Sequence, residues 1–161
     1  QKLGLEDIDI VINVQGDEPM INPKDIKNLN KVSLKNNLNI ATLAYKIENK
    51  EDYINKDIVK VVTKNKITDK TSQKAINFYR LVNSNYQNYI YQHFGIYLYK
   101  FSALKELVRL KKSKNEINER LEQLRAIDNN IKIDVILANY FSSGIDTKKD
   151  LDEYIKLLNK Q

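Results

Sequence analysis

A chain of 161 residues, 42% of them apolar, has room for one domain with a sizeable core, and no run reaches the roughly 18 apolar residues of a membrane span. The absence of cysteine excludes disulfides and thiolate metal sites and points to a reducing, cytoplasmic setting. The net charge of +6 is the excess of 27 basic over 21 acidic residues; only 4 of the basic residues are Arg and they are scattered rather than grouped, which argues against a dedicated nucleic-acid site.

The polar opening from Gln1 to Asp9 lacks the apolar stretch of a signal peptide. A start on Gln1 rather than Met leads us to expect a fragment or a processed form. Ile8 to Val14 reads as a buried strand with Ile8, Ile10, Ile12 and Val14 on one face. Asn22-Pro23 has the pattern of an N-cap followed by proline at the first helical position, opening a helix to about Asn36. Further strands are expected over Ile40 to Ile47 and Ile58 to Thr63, and then a Lys/Thr-rich connection over 64–74.

Lys74 to Leu81 and Gln92 to Tyr99 are the next strand candidates. Ser102 is placed to cap a helix from Ala103 to about Lys111. A second helix is expected from Glu116 to Ile127, with Ile117, Leu121 and Leu124 as its apolar stripe. Ile131 to Leu137 is the last strand, and Thr147 with Asp150 forms a capping box for a terminal helix, whose core side would carry Leu151, Tyr154, Ile155 and Leu158. The alternation of strands and helices predicts a single α/β domain over residues 1–161 with a mainly parallel sheet.

Four stretches could carry chemistry. In "VINVQGDEPM" the buried strand ends on Gln15, Gly16 and Asp17, at the strand end where open α/β sheets bind ligands. A solvated acidic turn and a Mg²⁺ site both fit two adjacent carboxylates there. In "SSGIDTKKDL", Asp146 precedes the last helix, where it either suits the helix dipole or meets Asp17 across a shared divalent ion. In "YQHFGIYLY", period-two alternation puts His93, Gly95, Tyr97 and Tyr99 on one face and Phe94, Ile96 and Leu98 on the core face. The gap at Gly95, between an imidazole and a phenol, could admit a small polyol. In "NEINERLEQLR", Glu119, Glu122 and Gln123 share a polar helix face, which is either solvated, with Glu122 paired to Arg125, or available to the hydroxyls of a buried ligand.

Taken in order, "VNVQGDEPMI", "HFGIYLY", "LEQLR" and "SGIDTKKDL" resemble the motifs of the 3-deoxy-manno-octulosonate (KDO) cytidylyltransferases, the CMP-KDO synthetases, and "IATLAYKI" and "IVKVV" match strands of that family. The resemblance runs from Ile10 to Leu157. It implies a Rossmann-like nucleotidyltransferase fold with a mostly parallel mixed sheet, a homodimer, and coupling of CTP to KDO with release of pyrophosphate, Mg²⁺-dependent, for lipopolysaccharide or capsule synthesis. Carried over position by position, Asp17 and Asp146 match the family's catalytic, Mg²⁺-binding aspartates. Gln15 and Gly16 match the segment beside nucleotide and metal. His93, Tyr97, Glu122 and Gln123 match the sugar pocket, and Arg80 in "INFYR" matches an arginine that engages the acid sugar, although Tyr79 stands where the family has serine.

The family's glycine- and basic-rich phosphate loop, of the kind "PAR…S.R.PGKP", has no counterpart in this sequence. The expectation is therefore a C-terminal, sugar- and metal-binding portion with the first nucleotide-binding half missing. The alternatives are a cytidylyltransferase for another acid sugar (amino-KDO or a sialic-type nonulosonate) and a truncated, non-catalytic interaction module.

Overall fold

The computed structural model describes residues 4–7, 9–68, 71–82, 88–142, 144–145 and 147–159, apart from the side chains of Lys149 and Glu153. Six strands, β1 (Ile10–Val14), β2 (Ile40–Lys46), β3 (Lys60–Thr63), β4 (Gln73–Tyr79), β5 (Tyr89–Lys100) and β6 (Asp134–Leu137), form one sheet in the order β1-β5-β2-β6-β4-β3, with a further pairing of β5 to β3. Among the described residues only β2 and β6 run parallel as neighbours; the other pairings are antiparallel.

The mainly parallel sheet expected from the sequence is thus corrected to a mixed, mainly antiparallel one. Strands β1, β2, β3 and β6 do share a direction, as their alternation with helices suggests. However, β5 runs oppositely and pairs with β1, β2 and β3, while β4 separates β3 from β6. A strand buried on both faces shows the same apolar run whichever way its neighbours point.

Among the described residues five α-helices accompany the sheet: α1 (Pro23–Lys35), α2 (Phe101–Arg109), α3 (Lys114–Glu119), α4 (Leu124–Asp128) and α5 (Lys148–Leu158). The expected Asn22 cap forms, its side chain accepting from the Lys24 amide at 2.9 Å, and so does the Thr147–Asp150 capping box. The single helix expected over 116–127 is instead two, broken where Arg120 takes a left-handed conformation (φ 55°). The break rotates the stripe, leaving Ile117 60% exposed while Leu121 and Leu124 are buried. Ser102 lies inside α2, which leaves β5 directly at Phe101 without a side-chain cap. On α5, Leu151, Ile155 and Leu158 are exposed rather than facing a core. Strand β1 is an edge, with Val14 exposed and Ile10 and Ile12 half-buried.

The alternation along β5 separates two cores. Phe94, Ile96 and Leu98 pack with Leu43, Ile136 and Leu29 of α1, and Tyr91 and Tyr97 pack on the other side with Val61, Phe78, Leu121 and Leu124. Among the described residues no helix is long and apolar enough to cross a membrane.

Candidate active site

The site is built around an irregularity in β5. Thr42 pairs with Tyr97 but the next residue, Leu43, pairs with Phe94, so Gly95 and Ile96 bulge out of the ladder with β2. A bulge frees main-chain polar groups and re-aims the strand. Here the Gly95 amide donates to Glu18 Oε1 at 2.9 Å, and the Gly95 carbonyl accepts from the Gln15 amide at 3.3 Å. Glu18 Oε2 accepts from the Ser142 hydroxyl at 3.1 Å. One buried carboxylate therefore ties three segments together: the turn after β1, the bulge, and the loop after β6.

This corrects two sequence expectations. Glu18 belongs to the interior rather than to a solvated turn, being only 9% exposed. The gap at Gly95 is filled by the Gln15 carboxamide, since a Cβ added there would lie 2.1 Å from Gln15 Oε1. A glycine inside an apolar strand is itself a signal of a bulge or a close approach, and it was the readable trace of this junction.

Asp17 stands at the exposed tip of that turn. Its carboxylate makes no hydrogen bond or ion pair among the described residues, and its carbonyl accepts from the Ile145 amide at 2.7 Å. The C-terminal segment is held there from a second side as well. Asp25, fully buried in the first turn of α1, accepts from the Asn139 amide (2.9 Å), its side-chain nitrogen (3.1 Å) and the Tyr140 amide (3.1 Å). Asp146 lies outside the described residues. Gly16 is exposed, faces open space and is not part of the cleft wall.

On the opposite wall, rings stack along β5: His93 to Tyr97 at 5.4 Å and Tyr97 to Tyr99 at 5.7 Å between centroids, with Phe78 edge-on to His93 at 5.2 Å. Thr42 Oγ1 is 2.6 Å from the Ile96 carbonyl and 2.9 Å from His93 Nε2. A hydroxyl has one proton, and it goes to the carbonyl, so Nε2 must carry the proton it shares with Thr42. His93 Nδ1 is left as an acceptor. Burial lowers the imidazole pKa to about 3, which keeps it neutral at physiological pH. The Tyr97 hydroxyl is buried and has no hydrogen-bond partner among the described residues. Burial, with the charges of Tyr99 and Glu122 nearby, drives its pKa well above the usual phenol value, and burial with Glu122 pushes Tyr99 up to about 12.

Arg80, just after β4, is braced by main chain, Nε donating to Glu119 O at 3.1 Å and Nη1 to Lys56 O at 3.0 Å. Among the described residues it has no carboxylate partner. Glu122 and Gln123 lie in the turn between α3 and α4 rather than on a helix face. Arg125 pairs with Glu116 through two hydrogen bonds of 2.8 and 2.5 Å, not with Glu122. These groups meet in one cleft of about 1060 Å³, whose walls include Gln15, Asp17, Arg80, His93, Tyr97, Glu122 and Gln123. It offers a cationic guanidinium, neutral acceptors, an amide and an unpaired phenol on one side, with a free carboxylate at the other.

Over residues 1–133 the sequence matches the family described as Cytidylyltransferase. The chain belongs to the cytidylyltransferase family. The resemblance read from its motifs extends to named relatives. It is 44% identical over 159 residues to the 3-deoxy-manno-octulosonate cytidylyltransferase of Thermodesulfovibrio yellowstonii, covering 96% of this chain and 62% of that protein. It is 37% identical to the cytidylyltransferase of the same name from Bartonella quintana, covering 92% of this chain and 60% of the relative. Among solved structures it resembles a CMP:2-keto-3-deoxy-manno-octonic acid synthetase complexed with CTP, with 32% identity, a TM-score of 0.77, and coverage of 94% of this chain and 62% of that one. The chain spans about three fifths of the length of these cytidylyltransferases.

Proposed function

We propose that this chain forms the acid-sugar and metal-binding part of a cytidylyltransferase that couples CTP to KDO, giving CMP-KDO and pyrophosphate. The observation that carries this reading is the buried, unpaired Tyr97 hydroxyl in the same cleft wall as the carboxylate-free Arg80. A buried polar group without a partner is costly, and a ligand that brings both hydroxyls and a carboxylate satisfies the phenol and the guanidinium together. The Nδ1 of His93 can accept from another sugar hydroxyl, and Glu122 and Gln123 add an acceptor and an amide at the rim.

In the reaction proposed, the anomeric hydroxyl of KDO attacks the α-phosphorus of CTP in line. A new O–P bond forms, the α–β phosphoanhydride breaks with its electron pair leaving on pyrophosphate, and the hydroxyl proton passes to solvent. The residues of this chain act by positioning: Arg80 fixes the carboxylate, and the His93–Tyr97 wall orients the ring. Mg²⁺ suits the donor set at the other side, because Asp17 offers an uncommitted hard oxygen. Its carbonyl also ties down Ile145, the chain neighbour of Asp146. Asp17 and Asp146 would hold the ion, which when bound neutralises phosphate charge. A homodimer, a cytoplasmic location and a role in lipopolysaccharide or capsule synthesis travel with the reading on the family resemblance.

The test is a calorimetric titration of the chain with KDO, followed by pyrophosphate release from CTP and KDO in Mg²⁺. Tyr97→Phe and Arg80→Ala should each weaken KDO binding by about tenfold or more, with the fold retained. Binding unaffected by both substitutions would sink the assignment of this cleft. Binding of a different acid sugar in place of KDO would reassign the substrate.

A further inference from the structure

Lys60, on β3, is the largest side chain among the described residues with no exposed surface. Among the described residues its ammonium has no carboxylate in contact. It donates to three main-chain carbonyls, Asn55 O at 2.6 Å, Ile58 O at 2.7 Å and Arg80 O at 2.5 Å, which uses all three of its protons. The first two carbonyls belong to the loop entering β3, which lines the cleft with Asn55, Asp57 and Ile58. The third belongs to Arg80 itself. Arg80 in turn donates from Nη1 to Lys56 O in that same loop. The two cations are interlocked through one loop, and only Arg80 reaches the cleft.

We propose that Lys60 is the positioning residue for Arg80: its buried ammonium, by gathering the carbonyls of Asn55, Ile58 and Arg80, sets where the Arg80 guanidinium meets an anionic ligand in the cleft. The inference deepens the acid-sugar reading of that cleft and rests on it for the identity of the anion. A neutral amine has two protons for three carbonyls, so losing the charge must release one of them. The charges that act on Lys60 are those of Asp52, in the 3-10 turn at Lys50–Tyr53, and of Arg80; the loop also carries Lys56 and Asp57 in sequence, and the partners of Lys60 in register are Tyr79 and Gln92. Burial first, and Arg80 in addition, lower its pKa to about 8 against the opposing effect of Asp52. Between that value and 10.5 the unfolded chain holds a proton that the folded chain has released, so this group makes stability rise, not fall, with pH. Anion binding through Arg80 should move the other way.

The experiment uses the whole chain with arginine side chains labelled for NMR, KDO as the probe, and Lys60→Met, which keeps the apolar stem without donors. In the wild type at about pH 6.5, below the lysine pKa, the Arg80 Nε–H should be protected from solvent exchange; in Lys60→Met it should exchange freely. The KDO dissociation constant should rise about tenfold or more in the variant. In the wild type it should rise through pH 8 without loss of thermal stability, in step with the Arg80 Nε shift, while the variant is flat over that range. Because the chain has no cysteine, Lys60→Cys can be aminoethylated while unfolded and refolded. This restores an ammonium of the same reach but greater acidity, and should move the pH midpoint down; it decides the matter if Lys60→Met does not fold. A protected Arg80 Nε–H in folded Lys60→Met, or an unmoved midpoint in the aminoethylated chain, overturns the proposal. If the wild type binds no KDO, the sugar reading fails, and the Arg80 Nε–H signal still decides the role of Lys60.

Discussion

At the scale of single residues, the site depends on side chains whose partners are far away in sequence. Asp25 sits in the first turn of α1, and three donors from residues 139 and 140 converge on it. Asp25→Ala would orphan them all and should cost about 2–4 kcal/mol in urea unfolding. Gly95→Ala should behave differently. The added methyl collides with the tip of a flexible Gln15 side chain, so stability should change little while KDO affinity falls as the carboxamide is pushed into the cleft; unchanged affinity in calorimetry would contradict this. His93 supplies a pH test. Its folded pKa of about 3 lies below the unfolded value of 6.5, so the unfolded chain takes up the extra proton between them. The neutral ring's contribution is intact above pH 6.5 and is lost as pH falls towards 3. His93→Gln should flatten that part of the stability profile. The sequence singled out Gln15, Asp17, Arg80, His93, Tyr97, Glu122 and Gln123, largely through the family resemblance, and these residues line one cleft. It did not show Glu18, Thr42 or Lys60, because nothing in a local pattern reveals that a polar side chain will be buried against distant main chain.

At the scale of elements, boundaries marked by local chemistry were legible and those set by packing were not. Caps at Asn22 and Thr147 announce α1 and α5 because their hydrogen bonds lie within a few residues. The break between α3 and α4 has no glycine to mark it. Arg120 takes the left-handed conformation, and Glu116, buried under the Ser113 capping box, holds Arg125 of the next helix. Arg120→Gly should therefore raise stability by up to about 1 kcal/mol, read as a small upward shift in Tm. A drop in Tm would mean that the arginine side chain repays its backbone strain. The two-helix arrangement also leaves Glu122 and Gln123 in a turn at the cleft, where a continuous helix would have fixed them along one face.

At the scale of the molecule, the α/β class was readable from alternating periodicities, but strand direction was not, since β1, β2, β3 and β6 share an orientation without mostly being neighbours. Strand β5 borders three of the other five strands and feeds both cores. Hydrogen exchange should find its central amides, with those of β2, among the slowest, and α5, with its apolar residues exposed, among the fastest; early protection of α5 would contradict that ranking. This centrality also bears on biosynthesis. Residues 10–14 and 40–46 await a partner that spans 89–100, whereas 60–63 can pair first with 73–79, so in a nascent chain emerging from the ribosome the first two strands have no sheet to join until the 89–100 segment appears. Until then those β-branched stretches lack their central ladder, and the pace of translation between residues 10 and 100 becomes a determinant of how much product escapes aggregation.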